Sequence, residues 1–278
     1  MIRLPLRHAE DRRSLLFLAA LAALYAVQWT GAVRHPGLVA LTCLLAFVAC
    51  VVKHNHVHCR TFRDARWNRV LEHALGLATG QTATGIVTAH NVRHHGANQS
   101  ARDWVRASLV DFRWNWLNLL AFPFVAVARM RADRPSDLAH WRRTRPALYR
   151  RAVRERVTLY AFIATTLTLD WTATLAYVAG PWLFAQWALV TINLLQHQGC
   201  DPASELDHSR NVTGCFVNWL LLNNGFHTAH HLRPALHWSR LPAFHDTRVR
   251  PGMRADLSER SLLVASWRQF FAPRVSWS

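Results

Sequence analysis

Residues 14–33 form a run of twenty without one charged side chain. In a bilayer every backbone amide must find its partner within its own segment, so such a run crosses as a helix. A hydrocarbon core of roughly 30 Å takes about 20 helical residues, with about 17 as the lower limit. Residues 36–52 meet the same test, and only Arg34 and His35 separate the two runs. That spacing leaves room for a tight hairpin and nothing else. A second pair follows at residues 157–178, interrupted by Asp170, and residues 182–196, with the Ala-Gly-Pro of 179–181 read as the turn. The apolar piece 116–128 is too short to span and reads as interfacial or re-entrant. The expected fold is all-α and integral to the membrane, a single domain over 1–278. Its four transmembrane helices lie at about 14–33, 36–53, 157–178 and 181–197, in two hairpins. Segments 54–156 and 198–278 form a helical cap.

Charge orients this arrangement. Lys and Arg number 33 against 16 acidic residues, a formal charge of +17. A nucleic-acid binder would explain the charge but not the spans. Thirteen tryptophans beside long apolar runs favour a membrane surface instead. Ten arginines fall in residues 129–156, the N-terminus is basic, and the two hairpin tips offer only Arg34. By the positive-inside rule both termini and the cap face the cytoplasm, and the expected location is a bacterial inner membrane. Arg3, Arg7, Arg12 and Arg13 could open a secretory signal. The run behind them exceeds the usual core of one, and a second span follows at once, so it reads as a retained helix. The five cysteines form no CxxC pair and suggest neither a disulfide framework nor a zinc ribbon.

Nine of the seventeen histidines fall into four clusters. "KHNHVH" supplies His54 and His58 as the second span ends. "HNVRHH" supplies His90, His94 and His95. "NLLQHQG" supplies His197 where the fourth span returns, and "FHTAHH" supplies His227, His230 and His231. All four land on the cytoplasmic side, although the histidines played no part in deriving the topology. Residues three and four apart share a helix face, so each cluster should aim its imidazoles at one point. His56 lies about 200° around from both neighbours and should face outward, where its loss would cost little. A single HxxxH is weak, but four clusters on one membrane face indicate metal. Nine imidazoles exceed one tetrahedral zinc and suit two ions. Imidazole accommodates Zn, Cu, Fe or Ni, so spacing does not choose among them. A non-redox metal carrier would need histidines along a path through the bilayer, not gathered at one face.

The order HxxxH, HxxxHH, HxxHH resembles the three histidine boxes of the integral-membrane fatty acid desaturases and the related hydroxylases and ketolases. "NNGFHTAHHLRPALHWSRLP" and "HHGANQSARDW" are similar to the family's runs after its third and second boxes, and the resemblance covers about residues 15–245. It implies a non-haem di-iron centre held by His54, His58, His90, His94, His95, His197, His227, His230 and His231. It further implies Asn193, four residues before His197, as a water-mediated partner. The implied reaction is desaturation of an acyl chain with O2 and two electrons, or hydroxylation on the same scaffold. The acyl chain would arrive as a lipid, an acyl-CoA or on an acyl carrier protein. The chain carries no dinucleotide fingerprint or P-loop, so a ferredoxin, cytochrome or reductase would supply electrons and could dock on the arginine-rich segment. Asn91, Asp103, Asp201, Asn223 and Asn224 adjoin the boxes and are candidates for orienting the imidazoles.

Overall fold

In a computed structural model, residues 5–272 are described, with the backbone alone for 133–137. Among the described residues the regular elements are helices, apart from one two-residue parallel pairing and an isolated antiparallel bridge between Leu6 and Phe62. Its helices in order are α1 (Asp11–Trp29), α2 (Pro36–His58), α3 (Ala65–Thr79) and α4 (Ala83–Ile86), the last continuing as a π-helix over Val87–His95. Next come α5 (Asn115–Thr144), α6 (Pro146–Leu169), α7 (Trp171–Thr174) and α8 (Gly180–His197). Short elements complete it: α9 (Cys215–Leu220), α10 (His227–Leu232), α11 (Leu241–Phe244) and α12 (Leu262–Phe270), with strands β1 (Asn211–Val212) and β2 (Ser258–Glu259). Contacts divide the chain into two compact units. One runs to Asn91 and adds Arg134–Leu189; the other joins Val92–Asp133 to the residues from Val190 on.

The first unit is built on the α1–α2 hairpin. Gly31 turns it at φ +78°, a conformation that costs glycine little. His35 caps α2 by accepting from the Gly37 amide at 3.1 Å, and Pro36 sits at the first helical position, where its missing N–H is not needed. Inside the hairpin Gln28 donates to Thr42 Oγ1 at 2.6 Å, with both residues fully buried. Such a pair satisfies polar groups where water does not reach. The Tyr25 hydroxyl donates to the carbonyl of Ala78 at 2.9 Å, and Trp29 Nε1 to Thr174 Oγ1 at 3.0 Å. Gly80 ends α3 at φ +66°, and a Cβ there would lie 2.6 Å from the Trp182 ring. Only glycine meets both conditions.

Among the described residues two helices, Pro36–His58 and the continuous Trp171–His197, are long and apolar enough to cross a bilayer. The second hairpin differs from the expectation. The helix expected over 157–178 instead spans Pro146–Leu169, and the turn falls at Asp170. Asp170 is the N-cap of α7: its Oδ1 accepts from the Ala173 amide at 2.9 Å and from Thr172 Oγ1 at 2.8 Å. A carboxylate that looked like an interruption inside a span is a helix start. The Ala-Gly-Pro expected to turn the chain lies inside the following helix. A π-turn over Leu175–Ala179 precedes Pro181, and the Gly180 amide reaches back to the Leu175 carbonyl. The wider turn fits a residue without an N–H that would disrupt an α-turn. The apolar piece 116–128, read as interfacial or re-entrant, is the first part of the thirty-residue α5. The arginines after it are good helix formers, so the helix does not stop where the apolar run does.

The second unit packs Val110, Phe122, Leu194, Leu195, Val212, Ala265 and Phe270 into one core. Asn218 fixes the turn before α10: its Nδ2 donates to the Val212 carbonyl at 2.7 Å and its Oδ1 accepts from the Gly225 amide at 3.1 Å. A Cβ on Gly225 would sit 2.1 Å from that same carbonyl. The approach of backbone to backbone therefore needs glycine at this point.

Candidate metal centre

In the first unit α2 carries His54 and His58 four residues apart, and the π-helix carries His90. The three rings close a triangle, with centroids 5.2 Å apart for His54–His58, 4.4 Å for His54–His90 and 4.9 Å for His58–His90. His54 Nδ1 lies 3.1 Å from the Oδ1 of Asn55. With the Nδ1 proton given to that oxygen, the Nε2 lone pair is left to a ligand.

In the second unit His94, His197, His227 and His231 gather with their ligand nitrogens all within 4.8 Å of one another. His197 Nε2 is 2.9 Å from His227 Nε2, which is 3.1 Å from His231 Nε2. The far sides of two rings are held. His94 Nδ1–H donates to Asp103 Oδ2 at 2.9 Å, with both residues fully buried. His197 Nδ1–H donates to the backbone carbonyl of His208 at 3.1 Å. With protons fixed on these outer nitrogens, His94 and His197 both carry their lone pairs on Nε2. A carboxylate or carbonyl behind each imidazole is the usual support of a metal-ligating histidine. Burial and the neighbouring imidazoles hold the His231 pKa well below its ordinary value, so this ring is neutral and competent to ligate at neutral pH. With the Nε2 lone pairs of His94 and His197 both turned into this set, a cation among the four imidazoles would be favourably held. The donor set fits a metal ion. His95 and His230 form a further pair, Nε2 to Nε2 at 3.0 Å.

Spacing within a box does not decide which histidines meet. His94 and His95 are adjacent, yet His94 faces the four-histidine set while His95 pairs with His230. His227 and His231 join one set and His230, between them, turns to His95. Nor does His90 share a target with His94. The expectation that each box aims at one point is therefore corrected: neighbours about 100° apart on a helix serve different partners, and the π-helix alters the angle again.

Asp103 is the orienting residue among the five candidates. It also accepts from the amides of Gln99 at 3.0 Å and Val105 at 2.9 Å. Asn193 donates from Nδ2 to the carbonyl of Val105 at 2.8 Å. It thereby braces the Asp103 segment from α8, one turn before His197, and its Oδ1 end is the acceptor end. Of the other four, Asn91, Asn223 and Asp201 bond the backbone through their side chains, and Asn224 takes part through its own carbonyl. Asn91 reaches the Val57 carbonyl at 3.5 Å and Asn223 the Trp238 carbonyl at 3.0 Å. Asp201 accepts from the Ala203 amide at 2.9 Å, and the carbonyl of Asn224 accepts from Gln196 at 3.2 Å. His208 and Asn55 were missed. His208 acts through its carbonyl, which no side-chain pattern reveals, and Asn55 follows His54 directly.

His56 departs from its expected environment. It does not join His54 and His58, but it is 1% exposed rather than outward-facing. Its Nδ1 bonds Thr61 Oγ1 at 3.0 Å and its Nε2 accepts from Arg60 at 3.1 Å. Arg60 also pairs with the buried Glu72, as does Arg151, which reaches Glu155 at 3.3 Å. Glu155 Oε2 accepts from the amide of Thr84 at 2.8 Å and from its hydroxyl at 3.0 Å. The network ties α2, α3, α4 and α6 of the first unit together. His56→Ala should accordingly cost about 1–3 kcal/mol of stability through unmade buried hydrogen bonds while metal content is retained. A thermal melt alongside metal analysis checks this; an unchanged melting temperature contradicts it.

The model of the family described as fatty acid desaturase matches residues 28–262, a stretch that holds all nine clustered histidines. No curated protein matches the chain.

Proposed function

The chain belongs to the fatty acid desaturase family, and from that premise we propose that it is an integral-membrane acyl-chain desaturase using two iron ions, O2 and two external electrons. Family membership makes it an oxidoreductase. The observation that carries the finer reading is the four-histidine set of the second unit, with His94 fixed by Asp103 and His197 by a carbonyl. In this proposal the nine clustered histidines hold the two ions, with His94, His197, His227 and His231 of the second unit on one of them. Iron is preferred over zinc because the family's reaction is oxidative and zinc has no redox chemistry.

An unactivated C–H bond offers acid–base groups no ionisable proton, so the oxidising power comes from the metal pair with O2. The residues of the chain do the rest. Asp103 holds the His94 proton on Nδ1, and the His208 carbonyl does the same for His197. Asn193 braces Val105, and its Oδ1 would be free to accept from a water on a bound ion. Arginines of 129–156 supply the positive surface for an acidic electron donor, an acyl carrier protein or the phosphates of CoA. Four crossings with both termini cytoplasmic remain the proposed topology, supported by the arginine distribution. In that reading the apolar halves of α1 and α6 join α2 and the Trp171–His197 helix in the bilayer.

Lipid profiling of a bacterial host expressing the chain, with a His94→Ala/His230→Ala control, tests the reaction. Acyl chains lighter by two hydrogens, absent from the control, are expected. Gain of one oxygen in their place would assign the related hydroxylation, and unchanged lipids with a redox-silent metal in the purified protein would end the oxidative reading.

A further inference from the structure

The helix α12 has two apolar faces and only one of them is covered. Its inner face, Leu262, Ala265 and Phe270, packs into the second unit's core against Val110, Phe122, Leu194 and Leu195. Its outer face presents Leu263, 82% exposed, Trp267, 63% exposed, and the exposed Val264, with Phe271 just beyond the helix end. Positions 263, 267 and 271 follow at intervals of four and form one stripe, on which Trp267 and Phe271 stack at 5.5 Å. Arg268 is the only charged residue within the helix, and it pairs with Glu259. A helix in water would carry a polar face opposite its buried one. This one does not.

Each end of α12 is tied to another exposed aromatic pair. At its start the Thr213 amide donates to the Glu259 carbonyl at 2.7 Å. Immediately beyond Thr213, α9 exposes Phe216 and Trp219, with ring centroids 6.5 Å apart. At its end Asn115 donates from Nδ2 to the carbonyl of Gln269, between the exposed and stacked Trp114 and Trp116. Asn115 Oδ1 also accepts from Gln198 at 2.8 Å, and Gln269 donates to Gln198 Oε1 at 2.9 Å. Gln198 directly follows the Trp171–His197 helix. The amide cluster therefore holds α12 and the tryptophan pair at the level where that helix ends.

We infer that α12, with Trp114, Trp116, Phe216 and Trp219, is an in-plane membrane anchor of the second unit, seated at the boundary between headgroups and acyl chains. The inference rests on the membrane reading proposed above. Tryptophan and phenylalanine around a span's end form the interfacial belt of membrane proteins, and an amphipathic helix binds there by burying its apolar stripe. Arg113 adjoins Trp114, Arg268 adjoins Trp267, and Arg260 stands two residues before α12. They suit lipid phosphates and would repel one another across a contact between two copies.

The test places a nitroxide at Trp267→Cys in a cysteine-free background, in nanodiscs of phosphatidylcholine and phosphatidylglycerol. Labels at Leu183, exposed on α8, and Arg248, exposed on the π-turn after α11, serve as references. Collision with O2 at 267 should exceed collision with a water-soluble nickel chelate several-fold, as at 183 and opposite to 248. Chelate access at 267 with protection at 183 overturns the anchor alone; chelate access at both overturns the membrane reading too. Shielding at 267 from both reagents means a protein partner covers the stripe, which also overturns it. Should the cysteine-free chain not fold, bromolipid quenching of native protein against Trp267→Phe reads the same depth. A quenched fluorescence component absent from the variant is expected, and no difference overturns the anchor.

Discussion

Purified His197→Ala protein is expected to bind less metal than the parent and to lose product formation by more than about 100-fold, while still inserting into the membrane. Its imidazole lies within 2.9 Å of His227, inside the four-histidine set. Removing it leaves a gap in the donor shell of a buried cation, a larger perturbation than the roughly 10–100-fold loss typical when only a supporting residue is changed. The comparison with His56→Ala makes the result specific. His56 is as buried and lies between two clustered histidines in sequence, but it bonds Thr61 and Arg60. The His197 variant should lose metal with a small change in folding, and the His56 variant should lose stability with metal retained. Full activity and full metal in His197→Ala would remove this residue from the centre.

Asp103→Ala should weaken metal binding by about 10–100-fold, with a smaller effect for Asp103→Asn. The carboxylate accepts from His94 Nδ1 and from the amides of Gln99 and Val105. Alanine releases all three donors. Asparagine keeps an acceptor oxygen for the amides but replaces the charge that favours the Nδ1–H tautomer of His94. Chelator competition, read as the metal retained at increasing chelator, separates the two variants from the parent. The electronic or Mössbauer spectrum of the iron-loaded protein should shift in Asp103→Asn even where metal content is full. An unshifted spectrum and unchanged retention in both variants would make Asp103 a loop brace only.

Much of this was readable before any coordinates. Uncharged runs at 14–33 and 36–52 led to the first hairpin, because helix length and bilayer thickness leave little choice. The second hairpin was placed wrongly, since Asp170 is both an interruption by hydropathy and a cap by geometry. Which role it takes depends on whether the Ala173 amide and Thr172 hydroxyl turn toward it. Asp103 was legible from its place after a histidine box, but three other residues in similar places, Asn91, Asp201 and Asn223, bond the backbone instead. Sequence distance alone did not rank them.

By itself the sequence determined that nine histidines gather in four clusters, that their order matches a desaturase, and that His56 stands apart from His54 and His58. Those are properties of spacing, and spacing sets angles within one element. The tertiary structure alone decided that His94 meets His197, His227 and His231 while its neighbour His95 meets His230. It alone decided that a carbonyl of His208 orients His197, and that His56 is buried among Thr61, Arg60 and Glu72. Each depends on which element packs against which, and a periodicity carries no information about the face across from it.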